Sequence, residues 1–134
     1  MGATKSSLKG KRILAVDDEI DILETIEDIL DEAEVDRATD YDSASAKIRR
    51  GGYDLAILDI MGVDGLKLLE EAVDRGIPAV MLTAHAINPE TLMASIRKGA
   101  ISYLPKETLA ELDTLLEEIM SAYEKGTPPW ELLF

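Results

Sequence analysis

Short unbroken apolar runs alternate along this chain with stretches in which apolar residues recur every three or four positions. Five runs have strand character: Ile13 to Val16, led by Lys11-Arg12 and closed by Asp17; a weaker Val35 to Thr39; Leu55 to Asp59; Ala79 to Thr83; and Ile101 to Leu104. A continuous apolar run of this length, rich in β-formers, predicts a strand covered on both faces. The spacing of Ile22, Leu23, Ile26, Ile29, Leu30 and Ala33 predicts an amphipathic helix from Ile20 onward. A brief helix is expected from a cap at Asp42 or Ser43 through Arg50, stopped by Gly51-Gly52. Leu66, Leu69, Ala72 and Val73 mark a third, closed by Gly76. Asn88 and Pro89 read as an N-cap and N1 pair for a fourth, with Leu92, Met93 and Ile96, ending at Gly99. Leu109, Leu112, Leu115, Leu116, Ile119 and Met120 predict a last helix from about Thr108 to Tyr123.

Five strands alternating with five helices predict an α/β domain, a parallel sheet wound with helices on both faces by right-handed crossovers. The expected boundaries are a flexible leader over residues 1–10, one domain over 11–125 and an apolar tail over 126–134. That tail, Pro128-Pro129-Trp130-Glu131-Leu132-Leu133-Phe134, holds the only Trp and the only Phe. Its stickiness favours docking back on the domain or in a dimer.

Composition narrows the function classes. The net charge of −13, from 27 acidic and 14 Lys or Arg residues, opposes non-specific nucleic-acid binding, which rests on neutralising phosphates. No apolar run is long enough to span a bilayer, so a cytoplasmic protein is expected. The lack of cysteine excludes disulfides and thiolate metal sites. The acidic face of the first helix, Asp21, Glu24, Glu27, Asp28, Asp31 and Glu32, reads as a solvated surface.

The candidate chemistry sits where the strands stop. In a parallel sheet all carboxyl ends share one rim, where ligands of open α/β sheets bind. Asp17 and Asp18 end the first strand, Asp59 the third, Thr83 the fourth, and Lys106 follows the fifth. Crowded carboxylates raise one another's pKa, and a divalent cation relieves that repulsion. Oxygen ligands with room for water and a phosphate oxygen suit Mg²⁺. A hydroxyl and a lysine suit a phosphoryl group.

In Val16-Asp17-Asp18-Glu19, Leu58-Asp59, Asp64-Gly65, Leu82-Thr83-Ala84 and Tyr103-Leu104-Pro105-Lys106 the chain resembles the receiver domain of two-component response regulators. The resemblance covers about residues 10 to 125. It implies a flavodoxin-like, doubly wound five-stranded sheet of order 2-1-3-4-5. It also implies that Asp59 is the phosphoacceptor, attacking a phosphohistidine of a sensor histidine kinase or histidine phosphotransfer protein. Asp17, Asp18, Asp59 and the backbone carbonyl of Met61 would hold Mg²⁺, while Thr83 and Lys106 would hold the phosphoryl oxygens. Thr83 and Tyr103 would form a switch that reshapes the face of the fourth helix, fifth strand and fifth helix for an output protein or a second copy. Met61 and His85 occupy positions that tune the lifetime of the phosphorylated form, although a solvated loop imidazole explains His85 equally well. Water can attack an aspartyl phosphate, so autophosphatase activity is expected, and no dedicated metabolic reaction.

Two departures from the family pattern bear on function. The loop Asp59-Ile60-Met61-Gly62-Val63-Asp64-Gly65 lacks the usual proline and is two residues shorter than the common form. Glu107 replaces the proline that often gives a cis bond after the lysine, so a trans peptide is expected here. These departures support an alternative, a pseudo-receiver that binds partners without phosphorylation. A flavodoxin-like cofactor binder ranks low, because Asp17-Asp18-Glu19 would repel phosphate where a phosphate loop should lie.

Overall fold

The computed structural model describes residues 8–84 and 88–126. Its elements are β1 (Arg12–Val16), α1 (Ile20–Ile29), β2 (Glu34–Ala38), α2 (Tyr41–Arg50), β3 (Leu55–Asp59), α3 (Gly65–Asp74), β4 (Ala79–Thr83), α4 (Pro89–Arg97), β5 (Ser102–Pro105) and α5 (Leu112–Glu124). A 3₁₀ turn over Lys106–Glu111 leads into α5. All four strand pairings are parallel, in the order β2-β1-β3-β4-β5. Five strands and five α-helices thus form the expected doubly wound sheet.

The continuous apolar runs follow from cover on both faces. Ile13, Ala15, Leu55, Ile57, Val80, Leu82 and Leu104 pack on one side against Leu23 and Ile26 of α1 and Leu112, Leu116 and Ile119 of α5. Leu14, Val16, Ala56, Leu58, Ala79 and Met81 pack on the other, against Ala44 and Ile48 of α2 and Leu68, Leu69 and Ala72 of α3. Cutting a side chain such as Ile57 to alanine in this setting costs about 2–5 kcal/mol.

Helix α4 is held less firmly. Its one fully buried residue is Ser95, whose hydroxyl donates to the Leu92 carbonyl of its own helix. Leu92 and Ile96 are half-buried, and Met93 is 45% exposed. Its start is as expected, with the Asn88 side chain accepting from the Thr91 N–H at 2.7 Å and Pro89 in the first turn.

The structure corrects several boundaries. Helix α2 is capped by Asp40, whose carboxylate accepts from the Ser43 N–H at 2.7 Å, and not by Asp42 or Ser43 themselves. Helix α1 stops at Ile29 instead of running to Ala33. No base stands in its last turn, where Asp28 opposes the helix dipole, and Asp31 and Glu32 follow just beyond the cap. The turn that follows presents the Glu32 carbonyl to the Gly10 N–H. The last helix begins as a 3₁₀ turn because the Thr108 hydroxyl takes the Pro105 carbonyl at 2.7 Å, competing with the α-helical ladder. Ordered packing reaches back into the expected leader: Leu8 is 3% exposed and joins the α1–α5 side of the core. Residues 1–7 of that leader and 127–134 of the tail lie outside the described residues. Among the described residues no helix is long and apolar enough to cross a membrane.

On the edge strand β2, Asp36 joins three segments. It accepts from the Tyr53 hydroxyl at 2.5 Å and pairs with the Lys47 ammonium of α2 at 3.1 Å. Burial pushes the Asp36 carboxyl up, but the hydroxyl and the ammonium outweigh it and hold it below 3.8. A carboxyl depressed in the folded state stabilises the fold fully above its unfolded value and loses that contribution as the pH falls through the folded value. Asp36→Asn should therefore cost about 0.5–1 kcal/mol at neutral pH, as for a partly exposed pair. The deficit should close on acidification below 3.8. Urea unfolding of both proteins across that range checks it, and an unchanged deficit in acid would show that the ionised form is not what stabilises.

Candidate functional site

Register brings the strand-end residues together. Val16 lies opposite Leu58, Asp59 opposite Leu82, and Thr83 opposite Pro105. Pairing continues one residue past two of the strands, with the Asp17 N–H on the Ala38 carbonyl and the Ile60 N–H on the Leu82 carbonyl. Asp17 and Asp59 therefore leave the sheet under constraint, and they are 0% and 4% exposed. Asp18 is exposed at the mouth of the site. The sequence places Asp17 and Asp59 here because each is the first polar position after a run that cannot leave the core, and Asp18 comes next to Asp17.

Lys106 closes the arrangement. Its ammonium lies 3.0 Å from Asp17 Oδ2, 3.2 Å from Glu19 Oε1 and 3.4 Å from Asp59 Oδ1. Glu19, which the sequence reading quoted in a motif without giving it a role, is thus a direct partner of the lysine. Its N–H also donates to Asp17 Oδ1 at 2.9 Å. Burial pushes the Asp17 carboxyl up, more than the Glu19 N–H and Lys106 bring it down, and Asp59 adds to the rise. Burial lowers the Lys106 ammonium, but its carboxylate neighbours drive it up to about 12. No cis peptide occurs among the described residues, so the Lys106–Glu107 bond is trans as expected.

Thr83 is 1% exposed, and its hydroxyl faces β5, donating to the Leu104 carbonyl at 3.4 Å. Tyr103, next to that carbonyl in sequence, is half-buried against the α2–α3 side of the core. The shortened loop after Asp59 is tight. Asp64 adopts a left-handed conformation (φ 57°) to start α3, and a Cβ on Gly65 would lie 2.2 Å from the Asp59 carbonyl oxygen. Ile60 and Val63 are buried, whereas the Met61 side chain is 70% exposed. His85 lies outside the described residues.

The donor set fits a hard divalent cation. Asp17, Asp18 and Glu19 each offer an oxygen within 4.8 Å of the others. Asp17 Oδ2 is buried without a hydrogen bond, because the nearby lysine supplies charge but no aligned donor. Asp17, Asp18 and Asp59 are the residues that would hold such an ion. It would supply charge neutralisation and polarise a phosphoryl oxygen.

The comparisons with known proteins agree with this geometry. The family model "Response regulator receiver domain" matches residues 13–119. The two-component response regulator ARR18 of Arabidopsis thaliana is 32% identical over 91% of this chain, which spans only 21% of that protein. A CheY-like receiver domain protein from Methanospirillum hungatei JF-1 is 30% identical, with a TM-score of 0.71 over 87% of this chain and 99% of that one. NtrX of Brucella abortus is 35% identical, with a TM-score of 0.75 over 87% of this chain and 28% of that one. With the sheet order, the rim residues and the matched span in agreement, the chain belongs to the response regulator receiver domains of two-component signalling.

Proposed function

We propose that this receiver accepts a phosphoryl group on Asp59 in a Mg²⁺-dependent reaction and signals by protein contact. The observation that carries the reading is the convergence of Asp17 and Lys106 on a buried Asp59, with Asp18 at the mouth. The donor would be a phosphohistidine of a sensor histidine kinase or histidine phosphotransfer protein. An Asp59 oxygen attacks phosphorus, the P–N bond breaks, and the imidazole leaves with the electron pair. Phosphoryl transfer asks mainly for in-line positioning and charge neutralisation. Lys106 and the cation supply the second, Asp17, Asp18 and the Met61 carbonyl being the ligands beside Asp59.

The output follows from the Thr83 hydroxyl. Turning toward a phosphoryl oxygen, it gives up the Leu104 carbonyl that it now holds. That change reaches β5 and Tyr103, and through them the face formed by α4, β5 and α5. A partner or a second copy would read this face, in the cytoplasm, where such kinases present their phosphohistidine. Met61 and His85 would adjust how long the phosphoryl group survives attack by water. The rival reading, an interaction module that is never phosphorylated, draws its support from the tight loop after Asp59.

Acetyl phosphate with Mg²⁺ separates the two. The folded protein should gain the mass of one phosphoryl group, and either Asp59→Asn or a chelator should abolish the gain. A folded protein that gains nothing belongs to the second reading. Lys106 gives an independent check. Lys106→Met leaves Asp17 buried without its counter-charge and should cost about 3 kcal/mol in metal-free buffer, the lower end for breaking a buried pair. Millimolar Mg²⁺ should recover part of that loss in urea unfolding, and an identical loss with and without Mg²⁺ would mean that no cation enters the pocket.

A further inference from the structure

Gly62 has an unusual reason to be glycine. Its φ is not in the left-handed region, so its backbone conformation is open to any residue. What excludes a side chain is the acidic pocket. A Cβ at this position would lie 2.4 Å from Asp59 Oδ2 and 2.6 Å from Asp18 Oδ1. Real Cβ atoms essentially never come that close to another heavy atom, so a side chain at 62 requires both carboxylates to move. Asp59 has little freedom to do so, being 4% exposed with Oδ1 beside Lys106. Asp18 is exposed and can swing into solvent.

The same residue acts on Asp59 through its backbone. The Gly62 N–H donates to Asp59 Oδ2 at 3.2 Å. The two oxygens of Asp59 are thereby made different: Oδ2 is turned toward Gly62 and Asp18, and Oδ1 toward Lys106. The short loop after β3 is what brings this glycine against the carboxylates.

We infer that Gly62 is a positioning residue of the phosphoacceptor pocket: its lack of a side chain keeps open the space between Asp18 Oδ1 and Asp59 Oδ2, and its N–H holds Oδ2 turned toward that space. The inference rests on the phosphoacceptor reading and deepens it. The cation would use the open space, and the phosphoryl group would arrive on the Lys106 side.

The test is a Mg²⁺ titration by calorimetry of the full chain and of Gly62→Ala, with melting followed by circular dichroism in Mg²⁺-free buffer. Gly62→Ala can fold only by displacing Asp59 Oδ2 as well as Asp18 Oδ1, so its Kd for Mg²⁺ should rise at least tenfold. A folded Gly62→Ala with the wild-type Kd overturns the inference while leaving the phosphoacceptor reading intact. A wild-type chain that takes up no Mg²⁺ overturns that reading itself. If Gly62→Ala does not fold, the same substitution in an Asp18→Ala, Asp59→Ala background decides. Recovery of folding there supports the clash with the carboxylates, and failure to recover overturns it.

Discussion

Carboxylates that would drift apart in water are held beside one ammonium group at the rim of this sheet, and the strands that carry them cannot yield. Asp17 and Asp59 follow runs in which every apolar residue is buried, and each such side chain is worth about 1.5–3 kcal/mol to keep out of water. The repulsion at the rim is therefore opposed by the whole sheet. Relief has to come from the site itself, by raising the Asp17 pKa, by drawing in Lys106, or by admitting a cation. Glu19 adds a further negative charge to the same lysine, so Lys106 is shared among groups on two strand ends.

The register that concentrates charge also links the pocket to the sheet's far edge. Thr83 stands opposite Pro105, and its hydroxyl reaches the carbonyl just before that proline. The contact is buried and spans neighbouring strands, so Thr83 cannot change partner without altering how β5 is held. Lys106 follows directly on β5, which places both groups under the control of one strand.

Both helical layers and the residues at the rim were legible because each rests on periodicity or on a polar residue following an apolar run, whereas the strand order came from the family resemblance. Boundaries were less so, for local reasons. Asp40 was missed as the cap of α2 because Asp42 and Ser43 also carry capping side chains, and only the bond to the Ser43 N–H distinguishes them. Just past the early end of α1, Gly10 takes the Glu32 carbonyl, a long-range contact that no local pattern contains. Glu19 was given no role because its distance to Lys106 exists only in the folded chain. Leu8 is a single apolar residue in a polar stretch, and a lone residue has no period to read. The loop's shortness was plain from the sequence, but its effect at Gly62 was not, because close approach is a property of three dimensions.

Helix α4 differs from the other four in what fastens it. Its companions drive leucine, isoleucine or alanine side chains into the core, whereas its single fully buried residue is a serine bonded within its own turn. Segments with little buried apolar surface open at lower free energy than the body of a domain. In mechanical terms the molecule is stiff around β1 and β3 and compliant along one flank. A small push from β5 would be absorbed there first, as a displacement of α4, before any strand gave way.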